Sequence, residues 1–337
     1  MKQPSFQNYH VGPEHVGLAL IAVLRHLLPG ASWSKCRRLI HNRHVQINGT
    51  LCVDEGRRIA AGDVIKLWRE PREPPPRPED VRIRYLDRHI IVVEKPAGIT
   101  TTRHAEERHW PERRRQLQPT LDEMLRQILL RRSNQGQKSG QKKRAGPRKH
   151  RYPFLRAVHR LDRETSGLMV FARSPLAQRR LVQMFRKHAV ERVYLALVNG
   201  YVTEQTFDTY LVRDRGDGLR GSTDTPGLGK RAITHVKPIE YLPGYTLLEC
   251  RLETGRTHQI RIHLAEAGHP VCGEKLYCRR RNAPPLVDHS GAQRHALHAA
   301  VLGLPHPITG QPLRFTMPLP PDIQRLLRRL RDQAPKQ

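Results

Sequence analysis

The pattern of apolar and polar positions near the start of the chain predicts two short helices followed by a small sheet. The first helix has an apolar stripe at helical spacing, formed by Leu20, Val23, Leu24 and Leu27. Ser32 can cap a second helix, whose apolar side carries Leu39-Ile40. Strand-like alternation at 45–47 ends at the turn signal Asn48-Gly49, and a further strand is predicted at 64–68.

From residue 81 onwards the predicted strands and helices are interleaved without regular alternation. Apolar runs typical of buried strands occur at 90–93, 167–172 and 193–198. Ser174 can cap a helix with Pro175 at its first position. A later helical stripe, at Ile260 and Leu264, has Arg261 beside it. Because no Gly-rich phosphate loop accompanies these elements, they indicate an α+β domain rather than a doubly wound fold.

A proline-rich segment divides the chain. Residues 70–80 contain five prolines among charged residues, which predicts an extended spacer. A tail at 1–16 and a small α/β domain at 17–69 precede this linker, and the larger domain covers 81–331. Within the larger domain, residues 133–150 are basic and lack an apolar period, so we expect a mobile insertion there.

Composition narrows the classes of partner and chemistry. The 60 Lys and Arg residues against 31 Asp and Glu give a formal net charge of +29, which favours a polyanion. Neither a membrane-length apolar run nor the apolar core of a signal peptide is found, so a soluble, cytoplasmic protein without membrane contact is expected. The 5 cysteines form no Cys-x-x-Cys pair and the 19 histidines lie among arginines, so we predict no metal and no cofactor.

The segment with most chemical information is His159-Arg160-Leu161-Asp162-Arg163-Glu164-Thr165-Ser166-Gly167-Leu168-Met169-Val170. It places the carboxylate of Asp162 between arginines and just before an apolar strand. A buried charge costs free energy unless it is paired, so Asp162 is a candidate catalytic residue and Arg261 is placed to reach it. A structural ion pair with Arg160 or Arg163 is the alternative.

The N-terminal pattern resembles the S4 RNA-binding domain. The matching segments are Ser34-Lys35-Cys36-Arg37-Arg38-Leu39-Ile40, Val45-Gln46-Ile47-Asn48-Gly49 and Gly62-Asp63-Val64-Ile65. The resemblance implies that the basic face of the second helix meets RNA phosphates. The candidate contacts are Lys35, Arg37 and Arg38, for each of which a merely solvated helix face is the alternative.

Three blocks of the larger domain resemble the RluA-type pseudouridine synthases. They are His159 to Gly167, Arg192 to Val198 and Thr254 to Leu264, supported by Lys95-Pro96-Ala97-Gly98, His298-Ala299 and Pro305-His306-Pro307. The resemblance implies a mixed, mainly antiparallel sheet and an isomerase that acts on uridine in RNA. The N1–C1′ bond breaks, the uracil turns and C5 bonds to C1′, without a metal or a cofactor.

The same resemblance implies residue roles. Asp162 is the catalytic carboxylate, which attacks C6 of the uracil or C1′ of the ribose, or stabilises charge on the sugar. Arg261 pairs with Asp162 and keeps it ionised, and Tyr194 lies against the base and serves proton transfer at C5. Arg160 is the candidate to fill the space of a uridine that has left its stack. Further RNA- or substrate-binding candidates are His159, Arg256, His258 and Gln259. Apart from the arginine, these are expected to orient loops rather than carry chemistry.

The chain departs from the family pattern at three places. Arg192 stands where a lysine is common two residues before the tyrosine. Cys272-Gly273-Glu274-Lys275 replaces the more usual Gly-Asp run, and the insertion at 133–150 is unusually basic. These differences bear on substrate choice more than on chemistry.

Other classes of protein stay open at this point. A non-catalytic RNA- or ribosome-binding protein would keep the fold, but it would not need Asp162, Tyr194 and Arg261 together. A glycosidic hydrolase would use two carboxylates, and only Glu164 is near Asp162 in the sequence. By analogy, the S4-like lobe favours large-subunit ribosomal RNA as substrate, with transfer RNA as the alternative. We expect a monomer without an obligate protein partner, because a strongly basic surface opposes self-association.

Overall fold

The structure, a computed structural model, describes residues 6–48, 50–71, 74, 76–110, 115, 118–136, 153–216, 218–223, 225, 227–278, 284 and 286–333. The chain forms two compact units. One consists of Met1–Pro75 with Glu106–Pro119, and the other of Pro76–Ala105 with Thr120–Gln337. Gly49 of the predicted turn and residues 137–150 of the predicted insertion lie outside the described residues.

The first unit has two helices and a four-stranded antiparallel sheet in the order β1-β4-β2-β3. Its elements are β1 (Phe6–His10), α1 (Leu20–Leu27), α2 (Trp33–His41), β2 (Val45–Ile47), β3 (Thr50–Leu51) and β4 (Val64–Trp68), with 3-10 turns at Pro13–His15 and Glu106–His109. The predicted cap is confirmed, since Oγ of Ser32 accepts a hydrogen bond of 3.2 Å from the backbone N–H of Lys35. The predicted stripe of α1 packs in the core of this unit with Cys36 and Ile40 of α2.

The strand β1 lies in the segment that the sequence pattern assigns to a tail. It pairs with β4 along its full length, from Phe6 opposite Trp68 to His10 opposite Val64. Its burial does not alternate with period 2, which is the signal by which a half-buried strand is read from sequence. The expected tail at 1–16 is therefore corrected for residues 6–10, which backbone pairing adds to the edge of the sheet.

The second unit is built on an 11-stranded sheet in the order β11-β10-β12-β13-β9-β14-β8-β6-β5, with β15 beside β14 and β7 beside β8. The strands are β5 (Arg82–Leu86), β6 (Ile90–Lys95), β7 (Arg156–Ala157), β8 (Ser166–Ala172), β9 (Glu191–Asn199), β10 (Gln205–Val212), β11 (Gly221–Thr223), β12 (Lys230–Leu242), β13 (Tyr245–Leu252), β14 (Leu297–Pro305) and β15 (Pro312–Thr316). Among the described strands, β14 and β8 form the one parallel pair. The predicted α+β fold with a mixed, mainly antiparallel sheet is confirmed.

Helices cover both faces of this sheet. They are α3 (Leu121–Gly136), α4 (Pro175–Arg186), α5 (Gln259–Glu266) and α6 (Pro321–Arg331), and a 3-10 turn at Pro78–Asp80 lies in the predicted linker. Successive residues of β8 belong to different cores: Met169 and Phe171 pack with α3, α5 and α6, whereas Leu168 and Val170 pack with α4. Burial on both faces explains why the strand is apolar at every position instead of alternating.

Candidate functional site

Asp162 lies in the loop between β7 and β8, and hydrogen bonds hold the backbone on both sides of it. The Oγ1 of Thr101 donates to the carbonyl oxygen of Leu161 over 3.0 Å and accepts from the Leu161 N–H over 3.2 Å. The N–H of Thr165 donates to the carbonyl oxygen of Asp162 over 3.1 Å. The carboxylate therefore projects from a fixed turn.

Lys95, at the end of β6, fastens the same loop from beneath. Its Nζ is fully buried and donates to the carbonyl oxygens of Pro96, Arg163 and Thr165 over 3.0, 3.0 and 2.8 Å. Burial lowers the pKa of Lys95 to about 7. The sequence motif around Lys95 pointed to the family without assigning this lysine a task. The structure shows that it donates hydrogen bonds to the backbone of the Asp162 loop.

The sheet register brings Tyr194 towards this loop. Ala299 of β14 pairs with Gly167 of β8 on one side and with Tyr194 of β9 on the other. Gly167 has a φ of 130°, and a Cβ there would lie 2.3 Å from the carbonyl oxygen of Ala299. Only glycine fits this close approach, so steric contact fixes the residue type at position 167, at the end of the Asp162 loop.

Arg261 of α5 reaches Asp162, as predicted. Its Nη1 donates to Oδ2 of Asp162 over 2.9 Å, and the side chains are 9% and 17% exposed. The Nε2 of His258 lies 3.7 Å from the other oxygen, Oδ1. Burial alone would raise the pKa of Asp162, but His258 and the Arg261 guanidinium outweigh it and hold this pKa below its ordinary value. The carboxylate is ionised at neutral pH and still partly accessible.

Glu274 is the second partner of Arg261. Its Oε2 accepts from Nε over 2.6 Å and its Oε1 from Nη2 over 2.7 Å, while its side chain is only 2% exposed. Burial would raise the pKa of Glu274, but the hydrogen bonds and charge of Arg261 lower it to about 2. In the sequence, Glu274 stands out only as part of a departure from the family pattern.

Tyr194 is almost fully buried, at 8% exposure. Burial raises the pKa of its hydroxyl to about 12; the charge of Asp162 acts in the same direction, and Arg192 opposes it. The phenol is therefore protonated at neutral pH.

His258 and Tyr277 form an aromatic wall beside the ion pair. The Nδ1 of His258 lies 2.8 Å from the Tyr277 hydroxyl, and the Arg261 guanidinium lies 5.2 Å from the centre of the Tyr277 ring. His258 has a φ of 61°, which is uncommon for a residue with a side chain and typical of functional loops. Burial lowers the pKa of His258, and the charge of Asp162 opposes this shift. Tyr277 had no sequence signal.

Gln259 is engaged entirely inside the fold. Its Oε1 accepts from Oγ1 of Thr254 and from the N–H of Arg256, and its Nε2 donates to Ile233 and Thr234. These contacts agree with the expectation that Gln259 orients a loop. They also occupy both the oxygen and the nitrogen of its side-chain amide. The neighbouring Arg256 is exposed, and its Nε donates to the carbonyl oxygen of Arg231 over 2.9 Å.

His159 is likewise a packing residue. Its Nε2 accepts from the N–H of Val170 over 3.1 Å, and its ring stacks on Phe185 of α4 with 4.7 Å between centroids. Burial, with help from the charge of Arg192, lowers its pKa to about 3. Through these contacts His159 joins β8 to α4. Arg160, the next residue, is exposed.

The basic candidates of the first unit lie on α2. Lys35, Arg37 and Arg38 are exposed, opposite the buried Cys36 and Ile40. The Nε of Arg37 is 2.8 Å from Oε2 of Glu55, so part of its charge is already balanced.

Neither a metal centre nor a membrane span is found among the described residues. They contain no group of three or more His, Cys, Asp or Glu side chains that could hold a metal ion. No helix among them has the length and apolar character needed to cross a membrane.

Comparison with known proteins identifies the family of this chain. The sequence profile of the RNA pseudouridylate synthase family matches residues 89–266. A protein of Neisseria meningitidis serogroup A named ribosomal large subunit pseudouridine synthase D is 35% identical over 331 residues, which cover 95% of this chain and 81% of the relative. A protein of the same name from Xylella fastidiosa is 34% identical over 323 residues, covering 93% and 89%.

A solved structure agrees at the level of fold. The structure of human RNA pseudouridylate synthase domain containing 4 superposes with a TM-score of 0.54 at 22% identity, covering 74% of this chain and 92% of that one. The chain belongs to the RNA pseudouridylate synthase family. It is an RluA-type isomerase whose substrate is uridine in RNA.

Proposed function

We propose that this enzyme converts uridine of large-subunit ribosomal RNA to pseudouridine, with Asp162 as the catalytic carboxylate. The observation that carries the proposal is the hydrogen bond of 2.9 Å between Arg261 and one oxygen of Asp162. This hydrogen bond keeps the largely buried carboxylate ionised, while the Asp162 side chain, at 17% exposure, remains accessible to substrate. The ribosomal RNA substrate is supported by the names of the two bacterial relatives.

The reaction requires no change of oxidation state. Asp162 attacks the ribose at C1′, with departure of the uracil through N1, or it adds to C6 of the uracil, after which the N1–C1′ bond breaks. After the base has turned, C5 bonds to C1′, the carboxylate is released, C5 loses its proton and N1 gains one. Bonds broken and formed therefore balance within the nucleotide, and the carboxylate is regenerated.

Tyr194 is assigned to the base. Its ring offers a stacking surface, and its hydroxyl, whose pKa is about 12, is protonated when the substrate arrives. It can accept the proton of C5 only while it gives up its own, so it acts as a relay rather than as a free base. Arg160 is exposed and takes the space left by the uridine, whose removal from a stack costs a few kcal/mol.

RNA is held by electrostatic contacts distributed over the chain. The net charge of +29 supports binding to a polyanion through release of counterions. We assign the S4-like first unit to RNA binding through Lys35, Arg37 and Arg38, and we add the exposed Arg256. The enzyme acts as a monomer without an obligate protein partner, in the compartment of the ribosome, the cytoplasm.

Tritium release from RNA labelled at C5 of uridine tests the proposal. Ribosomal RNA and transfer RNA are assayed separately, with the wild type beside Asp162→Asn. We expect release from ribosomal RNA by the wild type alone, and unchanged RNA affinity of the variant. Release only from transfer RNA would overturn the substrate assignment. Release by both proteins would overturn the role of Asp162, and free uracil would indicate a hydrolase.

A further inference from the structure

Arg261 is shared between two carboxylates, and its contacts are divided unequally. Glu274 accepts two hydrogen bonds from Arg261, from Nε at 2.6 Å and from Nη2 at 2.7 Å, whereas Asp162 accepts one, from Nη1 at 2.9 Å. We propose that Glu274 is a positioning residue for the isomerisation, which orients Arg261 so that Asp162 is held through a single oxygen. The inference rests on the proposed function and adds a residue outside the predicted catalytic set.

Glu274 is itself rigidly mounted. Its Oε1 accepts from the backbone N–H groups of the next two residues in the chain, at 2.9 Å each. The N–H of Cys272 donates to the carbonyl oxygen of Leu197 over 2.8 Å, which ties the turn to β9. Because β9 also carries Tyr194, the clamp on Arg261 and the residue assigned to the base share one strand. Such a mounting keeps a reacting group within the small tolerance that catalysis allows.

The geometry of a guanidinium explains why a second carboxylate is needed. Arginine presents a planar fork that pairs with a carboxylate through two parallel hydrogen bonds whenever both are free. Glu274 occupies that fork, so Arg261 offers Asp162 one hydrogen bond, to Oδ2. Without Glu274, the guanidinium could turn and engage both oxygens of Asp162, including the one that would otherwise meet the substrate.

Charge leads to the same conclusion. Two carboxylates around one guanidinium leave one negative charge in excess, so Asp162 is paired without being fully neutralised. A lone Arg261 would compensate its charge completely and weaken it as a nucleophile. Replacing a buried ion pair by well-packed apolar residues often leaves the fold equally or more stable. Stability alone therefore does not account for a Glu274 side chain that is only 2% exposed.

The test compares Glu274→Gln with the wild type on C5-tritiated ribosomal RNA under single-turnover conditions. Gln has the same shape and keeps an acceptor for the turn, but it cannot bind the fork of Arg261 through two oxygens. We expect the rate constant to fall by roughly 10- to 100-fold, as for small misplacements of reacting groups. We expect the Kd for RNA to stay unchanged, because Glu274 is buried. Glu274→Asp keeps the charge on a shorter side chain and should give an intermediate rate constant.

Glu266→Gln is the matched control. Glu266 lies on α5, the helix that carries Arg261, and forms an ion pair with the buried Arg215, at 3.2 Å. This variant should keep the wild-type rate constant even if its melting temperature falls. A wild-type rate constant in Glu274→Gln, or a loss confined to Kd, would overturn the inference.

Two further outcomes are separable. If Glu274→Gln does not fold, Glu274→Asp decides: a lowered rate constant at unchanged Kd supports the inference, and wild-type values of both overturn it. Absence of tritium release by the wild type itself would instead contradict the proposed function.

Discussion

The Nζ of Lys95 donates to the carbonyl oxygen of Thr165 over 2.8 Å, although the two residues are 70 positions apart in the chain. With its bonds to Pro96 and Arg163, this contact joins the end of β6 to the loop of Asp162. The position of the catalytic candidate thus depends on a buried amine that never faces the substrate.

Lys95→Met should therefore impair both stability and turnover. The change removes the Lys95 donor from three carbonyl oxygens, of which that of Arg163 still accepts from the N–H of Gly98. Each unsatisfied buried group costs about 1–3 kcal/mol. We expect the free energy of unfolding in urea to fall by at least about 2 kcal/mol and the single-turnover rate constant by roughly 10-fold, because the loop shifts. Lys187→Met, at an exposed position after α4, is the control. Equal stability of the Lys95 variant and this control would contradict the prediction.

Gly167→Ala tests the close approach of β8 and β14. The new Cβ would lie 2.3 Å from the carbonyl oxygen of Ala299, at a φ of 130°. We expect a loss of more than about 3 kcal/mol, seen as a large fall in melting temperature, because a strained backbone and an overpacked contact coincide. Gly244→Ala has a positive φ of 76° with nothing within 4 Å, so it should cost only about 1 kcal/mol. Similar losses in the two variants would show that backbone strain alone matters.

Short motifs with strong local signals were sufficient to predict several elements. The Ser174-Pro175 helix start is confirmed, with Oγ of Ser174 accepting from the N–H of Ala177. The approach of Arg261 to Asp162 is confirmed as well. It could be predicted because the family pattern and the helical stripe indicated it independently.

Features that depend on tertiary contacts could not be predicted. The pairing of Glu274 with Arg261 needs a turn fastened to β9, and no periodicity reveals such a contact. In the sequence, Gln259 is a polar residue of a predicted binding motif. In the structure, its side-chain amide forms hydrogen bonds with Thr254 and Ile233. The edge strand Phe6–His10 owes its place to backbone hydrogen bonds, which any sequence without proline can form.

Tyr194→Phe should separate stacking from proton transfer. The ring is kept, so the Kd for RNA should not change, whereas loss of the hydroxyl should lower the single-turnover rate constant by roughly 10²- to 10⁴-fold. Because the pKa of Tyr194 is about 12, its ionisation should not bend the wild-type rate profile between about pH 6 and 9. Tritium release across this pH range measures both effects. A Phe variant with the wild-type rate constant would remove Tyr194 from the chemistry.

The basic face of α2 should contribute to RNA affinity rather than to the chemical step. We expect Lys35→Gln with Arg38→Gln to weaken binding and to reduce the slope of log Kd against log salt by about 0.9 for each phosphate that the double variant no longer neutralises. The rate constant at saturating RNA should not change. Arg37→Gln should have a smaller effect, because Arg37 already pairs with Glu55 at 2.8 Å. Filter binding at several salt concentrations decides, and an unchanged slope in the double variant would exclude this face from RNA contact.

Glu274 should also couple folding stability to acid pH. Arg261 outweighs the effect of burial and lowers the pKa of Glu274 from 4.5 to about 2, so the native state binds fewer protons than the unfolded state between these values. The corresponding stabilisation, roughly 3 kcal/mol, is present above about pH 4.5 and is lost as the pH falls towards 2. Relative to Glu274→Gln, the wild type should therefore lose its advantage in unfolding free energy over that interval, as measured by urea unfolding in pH steps.

Glu240→Gln is the control for this pH dependence. Glu240 pairs with Arg331 at the surface, at 2.7 Å, and exposed pairs of this kind contribute at most about 1 kcal/mol. Its unfolding free energy should stay close to that of the wild type at every pH. If the difference between the wild type and Glu274→Gln did not vary with pH, the pKa of Glu274 would be ordinary. Its ion pair with Arg261 would then add no net electrostatic stabilisation to the fold, although Glu274 would still be ionised at neutral pH.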